Sequence, residues 1–472
     1  MATLSTTAPS DLNTLAQTIL GKALTAGATD AEVVVAEGEE FSALVRLGEV
    51  ETLKESGSRA LGLRVFRGLR VASVSSSDFS ADSLDHLVAN ALSLASIVGE
   101  DPFAGLADAS EFGQYTPPAD SPDQDLRLYF DDVHHMPPAE RIEIARRCEA
   151  AALSADTRIQ NSAGGDFDTA TSHKILVNSR GFSGEYRKSY CGFSCAPIAH
   201  DEHGRMQRNY WYSSSRTTAA LESPESIGQI AAQRTLRRLG ARRAKTQQCP
   251  VVFSPEIARG ILGNLFSAAD GDSIYRNASF LSGMVGQRVA GDNITLIDDG
   301  TTVLNDHGLR IGGFGTAPFD AEGLPTRRTV FVDRGILQTY ITNSYTARKL
   351  GTRSTGSASR GLAGNPGVGA HNFYLAPGTL TPEQILADIP SGLYVTETMG
   401  FGVNLVTGDY SQGAAGLWIE NGELSYPVEE ITIAGNLKDM YQNISAIGND
   451  LVFRSASAAP TIRIDGMTLA GE

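Results

Sequence analysis

The chain has 472 residues, enough for two or three domains, and its 41% hydrophobic content and 49 glycines are typical of a soluble protein rich in strands and loops. Its 39 Lys and Arg against 54 Asp and Glu give a formal net charge of −15, which argues against a nucleic-acid surface because phosphate binding requires clustered basic side chains. No stretch approaches the ~18 apolar residues of a membrane span, and the segment MATLSTTAPSDLNTLAQ lacks the basic start and apolar core of a signal peptide. Four cysteines are too few for a disulfide framework, so we expect a cytoplasmic protein that contacts no membrane.

The first predicted unit, residues 1–111, combines two amphipathic helices with alternating strands. The helices are predicted at residues 10–27 and 81–97 from their apolar spacing. Between them the segments AEVVVAE, FSALVRLGEVETLK and RALGLRVFRGLRVASV alternate as strands do. The last is predicted to be a hairpin that turns at Arg67–Gly68, with Leu61, Leu63 and Val65 pointing in one direction. The stretch FGQYTPPADSPDQD, residues 112–125, is rich in Pro and Asp and is predicted to be a linker.

Two further units are predicted after the linker, a middle one at residues 126–247 and a C-terminal one at residues 248–472. The middle unit is predicted to contain a helix from Pro138, strands near 157–164, 170–179, 182–196 and 205–215, and a helix at 224–239. The C-terminal unit is predicted to contain helices at 255–268, 381–388 and 436–447, many short strands and a closing strand TIRIDGMTLAG. The second of these helices begins with Thr381-Pro382-Glu383-Gln384, which fits a capping box. These elements indicate an α+β fold, in which N-terminal and middle α/β-sheet units precede a large, strand-rich C-terminal domain with a few helices.

The segment HDEHG, residues 200–204, holds the densest group of side chains that bind metals, with His200 and His203 on either side of Asp201 and Glu202. The flanking segments YRKSYCGFSCAPIA and RMQRNYWYSSS both alternate as strands, so the five residues are predicted to be a polar hairpin turn. At the tip of a hairpin the two imidazoles diverge, and no further ligand is identifiable, whereas zinc needs three or four that converge. A metal site at this position remains the alternative.

The sequence contains no standard catalytic motif. It has no H-E-x-x-H zinc helix, no G-x-S-x-G nucleophile turn and no G-x-x-x-x-G-K-[ST] phosphate loop. The stretch GLAGNPGVGAHN, residues 361–372, lacks the glycine spacing of a dinucleotide site and is predicted to be a loop, and its His371 stands alone. Motif analysis therefore indicates a multi-domain protein without a visible catalytic apparatus.

Four ordered blocks in the C-terminal unit indicate a family. They are SGMVGQRV (282–289), FDAEGLPTRRTVFVDRGILQTYITNSYTARKLGTRSTGSASR (319–360), TGDYSQGAAGLWIENGELSYPVEEITIAGNLKDM (407–440) and ISAIGND (444–450). These blocks resemble the TldD/PmbA family of peptidase-related proteins, and the resemblance is closest to its PmbA, or TldE, branch. The hairpin GLRVFRGLRVASVS is similar to that family's first domain, so the resemblance spans nearly the whole chain.

The resemblance implies a two-subunit metallopeptidase that degrades or processes unfolded proteins and peptide precursors. In such a pair a TldD-like subunit carries H-E-x-x-x-H on a helix, and a later cysteine completes its zinc site. In this chain the two histidine positions fall at Leu262 and Ser267, and the glutamate position falls at Gly263. No cysteine follows Cys249, and the region that corresponds to the late cysteine, LVFRSASAAP, is free of ligand residues. The resemblance therefore implies a chain without metal or catalytic residues that is inactive alone, with zinc in the partner subunit. A homodimer is a further expectation when the partner is missing, because related subunits usually share one interface.

An unstructured peptide substrate is expected to add to a sheet edge, where main-chain hydrogen bonds give affinity without strong sequence preference. The run FGVNLVTGDYSQGAAG offers small residues for close approach, and Asn404, Thr407, Asp409 and Tyr410 for orientation. The alternative is that TGDYSQG is only a hairpin turn, in which Asp409 accepts hydrogen bonds from the backbone.

Two other functions remain open at this point. The first is a stand-alone metallopeptidase whose metal site is assembled from scattered residues such as His200, His203 or His371. The second is a non-enzymatic, peptide-binding scaffold. Zinc held tightly by the purified chain would favour the first, and no effect on peptide cleavage by a TldD-like partner would favour the second.

Overall fold

A computed structural model describes residues 9–112, 125–306 and 308–472, and it has the α+β fold that the sequence predicts. The predicted linker lies almost wholly outside the described residues. No helix in the described ranges has both the length and the apolar character needed to cross a membrane.

The first part of the chain builds a single sheet with helices packed on it. Its helices are α1 (Pro9–Thr25), α2 (Ala81–Ile97), α3 (Asp131–His135), α4 (Pro138–Leu153) and α5 (Pro224–Leu236). Its strands are β1 (Asp30–Arg46), β2 (Glu49–Arg67), β3 (Arg70–Ser76), β4 (Ile159–Asn178), β5 (Ser183–His200), β6 (Met206–Arg208) and β7 (Trp211–Ser215). The strand order is β3-β2-β1-β4-β5-β6, and β7 pairs with β5.

The long strand β1 joins the two units that the sequence places on either side of the linker. It pairs antiparallel with β2 along its length, across a two-residue turn in which Leu47 and Gly48 have φ of 52° and 82°. Two successive residues at positive φ match the twist of a tight hairpin. The other side of β1 pairs with β4 from Glu32 to Val45, so strands from both units form one sheet.

Two apolar cores lie under the helices of this sheet. In the first, α1 and α2 pack on β1, β2 and β3, and Leu61, Leu63 and Val65 are at most 1% exposed, so the predicted direction of these hairpin side chains is confirmed. In the second, α4 and α5 pack on β4 and β5 around Phe167 and Phe193. The opposite side of this hairpin stretch is buried too, since Arg64 and Phe66 are 4% and 2% exposed, and alternation in the sequence does not predict that burial.

The rest of the chain forms a larger, strand-rich unit. Its helices are α6 (Pro255–Ala268), α7 (Gly271–Tyr275), α8 (Ser344–Leu350), α9 (Pro382–Leu386) and α10 (Leu437–Gln442). Its strands are β8 (Gln247–Phe253), β9 (Leu296–Asp299), β10 (Val303–Asp306), β11 (Leu309–Gly312), β12 (Arg328–Asp333), β13 (Ile336–Leu337), β14 (Ala358–Ser359), β15 (Gly367–Val368), β16 (Phe373–Leu375), β17 (Ser391–Met399), β18 (Asp409–Glu420), β19 (Glu423–Asn436), β20 (Ile444–Ile447), β21 (Ser457–Ala458) and β22 (Ile462–Ala470).

One sheet of this unit positions α6. Its order is β19-β18-β17-β8-β22-β20, and α6 packs against it through Ile261, Leu262 and Leu265, all at most 2% exposed. The hydroxyl of Tyr441, itself fully buried, donates to the carbonyl oxygen of Ile261 at 2.7 Å. The helix is therefore fixed by its apolar side and leaves a polar side toward solvent.

Several predicted elements are confirmed and others are wrong. The bounds of α6 agree with the prediction, and α9 has the predicted capping box between Thr381 and Gln384. The two strands predicted at 157–164 and 170–179 are one strand, β4, with an irregular register between Ser162 and Gly165. The strand β2 runs without a break through ESGS, which the prediction leaves between two segments. The helix predicted at 436–447 ends at Gln442, because the apolar residues after it pair with β22 as β20.

Candidate functional site

The helix α6 carries the three positions that the resemblance aligns with the zinc-binding residues of a TldD-like subunit. Leu262 is 0% exposed and belongs to the apolar core. Gly263 has no side chain, and Ser267 is exposed and donates its hydroxyl proton to the carbonyl oxygen of Gly263 at 3.0 Å. These side chains supply no imidazole or carboxylate.

A second segment meets the exposed side of α6 at this place. The guanidinium of Arg259, one turn before Gly263, donates to the hydroxyl of Ser455 at 2.8 Å. Ser455 lies in LVFRSASAAP, the region where the resemblance expects the late cysteine ligand of a TldD-like subunit. This contact between α6 and the later segment joins a cation to a hydroxyl. Zinc requires anionic or neutral donors that converge, so the residues present here do not fit the metal.

The histidines singled out from the sequence do not form a metal site in the described part of the chain. The HDEHG segment is the predicted turn, in which the Asp201 carboxylate accepts from the backbone N–H groups of His203 and Arg205, each at 2.9 Å. His371 is buried in the C-terminal unit, where its Nδ1 lies 3.1 Å from Oδ2 of Asp298. No group of three or more His, Cys, Asp or Glu within the described ranges is placed to hold a metal.

The predicted peptide-binding residues lie at the start of β18 and in the turn before it. Oδ1 of Asn404 accepts from the backbone N–H of Val406 at 2.9 Å, and the hydroxyl of Thr407 donates to Oδ2 of Asp409 at 2.6 Å. These three polar residues are exposed, whereas Tyr410 is 2% exposed and packs in the core. β18 is paired with β17 on one side and β19 on the other, so it leaves no free edge for an added strand along those pairings.

A buried charge cluster, which the sequence reasoning missed, joins the first sheet to the C-terminal unit. We define it as Glu32 on β1, Arg64 on β2, and Asp320, Glu322 and Arg360 of the C-terminal unit. Oε1 of Glu32 lies 2.7 Å from Nε of Arg64 and 2.6 Å from Nη1 of Arg360. The side chains of these three residues are at most 5% exposed. A single charged residue in an alternating segment is normally predicted to be exposed to solvent. The sequence therefore gives no signal that these residues, far apart in the chain, meet in the interior.

Burial dominates the protonation of this cluster. It lowers the pKa of Arg64, raises the pKa of Glu322 and raises the pKa of Asp320 to about 7. The Asp320 carboxylate also accepts backbone N–H groups, including that of Ala358 at 3.0 Å, and these bonds favour its charged form. A cavity of about 470 Å³ beside the cluster has Arg64, Glu322 and Tyr345 in its lining. The cluster therefore joins two parts of the chain and presents charges of both signs to the cavity.

Comparisons with known proteins match three successive parts of the chain to one family. Family descriptions match in succession: PmbA/TldA metallopeptidase domain 1 over residues 31–95, the central domain over 131–239 and the C-terminal domain over 246–471. The chain is 40% identical over 450 residues to metalloprotease PmbA of Escherichia coli O157:H7, which covers 95% of this chain and 94% of that protein. It is 37% identical over 449 residues to a metalloprotease PmbA homolog of Haemophilus influenzae, which covers 94% of this chain and 93% of that protein.

Solved structures agree in fold. A candidate modulator of DNA gyrase from Bacteroides thetaiotaomicron superimposes with a TM-score of 0.89 at 27% identity, over 98% of this chain and 99% of that one. TldE from Thermococcus kodakarensis superimposes with a TM-score of 0.84 at 20% identity, over 97% of this chain and 100% of that one.

Proposed function

The chain belongs to the PmbA/TldA metallopeptidase family, and from this premise we propose that it is the metal-free subunit of a two-subunit peptidase. Its partner is a TldD-like subunit that carries H-E-x-x-x-H and holds the zinc. The pair acts in the cytoplasm on unfolded proteins and peptide precursors, and this chain helps to shape the space in which the partner cuts. The chain has no peptidase activity of its own.

One observation carries the proposal. At the three positions aligned with metal-binding residues, α6 has a buried hydrocarbon, no side chain, and a hydroxyl that bonds to its own helix. Zinc-dependent hydrolysis needs three fixed ligands and an open position for water. Arg259 supports the proposal further, since a guanidinium facing Ser455 opposes a divalent cation by charge repulsion.

An exposed apolar segment supports the pairing of two subunits. The segment that begins with the last residue of β17 contains Met399, Phe401 and Val406, which are 51%, 105% and 55% exposed. Neighbouring apolar side chains this exposed on a soluble protein typically mark a contact with another protein. We propose that this segment contacts the TldD-like subunit, and that the exposed Asn404, Thr407 and Asp409 contact the peptide from there.

The test is reconstitution from purified subunits. The chain alone is expected to contain no stoichiometric zinc by mass spectrometry and to leave an unstructured, dye-quenched peptide intact. Addition of the chain to a TldD-like subunit is expected to raise the cleavage rate by at least about tenfold, which corresponds to about 1.4 kcal/mol in the barrier. Stoichiometric zinc in the chain alone, or an unchanged rate in the mixture, would contradict the proposal.

A matched pair of variants locates the contact. Phe401→Ser removes the most exposed aromatic side chain of the segment, and Ile97→Ser makes a similar change at a 78% exposed position on α2. Only Phe401→Ser is expected to weaken the association of the two subunits in analytical ultracentrifugation. If both variants associate as the unchanged chain does, the contact lies elsewhere.

A further inference from the structure

The strand β2 is paired on one side along its whole length but only in part on the other. On its outer side β3 covers residues Leu61–Arg67, and no strand in the described ranges pairs with the outer side of residues 49–60. Residues 49–59 are all exposed except the half-buried Thr52. At a rise of about 3.4 Å per residue this free edge is about 40 Å long. Such an edge presents a row of unpaired N–H and C=O groups that another extended chain can bind.

An acidic groove lies beside the free edge. It has a volume of about 510 Å³, lies between the β1–β2 hairpin and the helices α3 and α4, and includes Glu39, Glu40 and Glu55 in its lining. Its basic residues are His134 and Arg141, and the Arg141 guanidinium lies 4.7 Å from the ring centre of Phe41. That guanidinium also donates to protein oxygens on β4 and α3, at 3.0 Å and 3.1 Å, so it forms part of the groove wall.

The groove is lined by more acidic than basic side chains. Three acidic residues line the groove against one guanidinium, which is already engaged, and one imidazole, that of His134, whose Nδ1 lies 2.9 Å from Oε2 of Glu39. Acidic residues are therefore in excess. The carboxylates of Glu55 and Glu39 interact electrostatically with Arg141 in the groove wall. Burial lowers the pKa of Arg141, and these two carboxylates act in the opposite direction. A cationic side chain entering from the edge is attracted by the same carboxylates.

We propose that the outer edge of β2, residues 49–60, binds an extended polypeptide segment with basic side chains by strand addition. The backbone of that segment pairs with the free N–H and C=O groups of β2. Successive side chains of a strand point to opposite faces, so every second one faces the groove, where Glu39 and Glu55 favour Lys or Arg. The binding site belongs to this chain alone, whether or not the chain is the partner of a zinc subunit.

A second copy of this chain is a poorer occupant of the edge. Each copy has a formal net charge of −15, so electrostatic repulsion opposes the approach of two copies. This repulsion is absent for a basic segment.

The peptide side of the contact is tested with three probes of about ten residues, a length that fits the free edge. The first is a dye-labelled peptide of alternating Lys and Thr, the second has Glu in place of Lys, and the third is the first with alternate backbone amides methylated. In fluorescence anisotropy with the full chain, the Lys peptide is expected to bind at least about tenfold more tightly than the other two. Hydrogen exchange of residues 49–60 is expected to slow when it binds. Equal affinity for the Lys and Glu peptides, or for the methylated peptide, would overturn the proposal.

Three variants test the protein side. Glu55→Lys reverses a charge in the groove, and Glu202→Lys makes the same change in the exposed turn after β5. Glu55→Lys is expected to lower the affinity for the Lys peptide by about tenfold, whereas Glu202→Lys leaves that affinity unchanged. The milder Glu55→Gln is expected to lower the affinity by a smaller factor. Equal effects of Glu55→Lys and Glu202→Lys would refute the site. If the chain forms a homodimer that dissociates in Glu55→Lys, the proposal is also overturned, because the edge is then occupied by a second copy of the chain.

Discussion

Neutralising Glu32 tests how strongly the first sheet is joined to the C-terminal unit. Its carboxylate is 0% exposed and lies 2.7 Å from Nε of Arg64 and 2.6 Å from Nη1 of Arg360, whose side chains are 5% and 3% exposed. Glu32→Gln keeps the shape of the side chain, so the main loss is the charge between two buried guanidinium groups. Removing one partner of a buried ion pair typically costs about 3–5 kcal/mol, a large part of the about 5–15 kcal/mol by which most domains are stable.

The assay is unfolding in urea, which does not screen charges, followed by circular dichroism and by tryptophan fluorescence. Asp85→Asn is the control, since it breaks the pair of Asp85 with Lys22, whose side chains are 61% and 40% exposed. An exposed pair contributes at most about 1 kcal/mol, so the control is expected to unfold almost as the unchanged chain does. A loss for Glu32→Gln no larger than that of the control would refute the argument that this cluster holds the two parts together.

Three further predictions concern single residues. Gly62→Ala is expected to destabilise the chain by about 1–3 kcal/mol in the same urea assay, because the new Cβ would overlap the carbonyl oxygen of Leu362; wild-type stability would contradict this close approach. Gly263→Ala, which meets no atom within 4 Å on α6, is expected to stabilise the chain by about 0.5–1 kcal/mol and to leave reconstituted peptidase activity unchanged, whereas lost activity would give this position a role in the reaction. Burial raises the pKa of Asp166, which accepts from the hydroxyl of Ser194, to about 6. The folded chain therefore keeps a proton that the unfolded chain releases near pH ~4, so stability falls as the pH rises from about 4 to about 6. Asp166→Asn is expected to lack this part of the pH dependence, and an unchanged stability profile would show that Asp166 titrates normally.

Local patterns predicted the elements whose cause is local. The apolar spacing of α6, the capping box of α9 and the polar turn HDEHG each depend on residues a few positions apart, and all three are confirmed. The predictions are wrong where pairing with a strand distant in the sequence determines the local structure. ESGS has the composition of a turn, yet pairing with β1 keeps β2 extended through it. Likewise the apolar run of β20 suits a helix or a strand equally, and pairing with β22 selects the strand.

The candidate site shows the same division. The absence of ligand side chains at Leu262, Gly263 and Ser267 was readable from the sequence once the resemblance fixed their positions. The contact of Arg259 with Ser455 and the meeting of Glu32 with Arg360 were not, because each joins residues far apart in the chain. The free edge of β2 was also hidden, since the short length of β3 uncovers it only once the register of the pair is known.

The central position of β1 in the shared sheet has a consequence for synthesis on the ribosome. β1 can pair with β2 soon after both emerge. The strand β4, which covers the other side of β1, begins more than a hundred residues after β1 ends. Translation at about 5–20 residues per second leaves that side uncovered for several seconds. Ile175 and Val177 of β4 also complete the apolar core under α1 and α2, so the early part of the chain emerges with an unfinished interior. The nascent protein is therefore most open to aggregation, and most in need of a chaperone, before residue 178 leaves the exit tunnel.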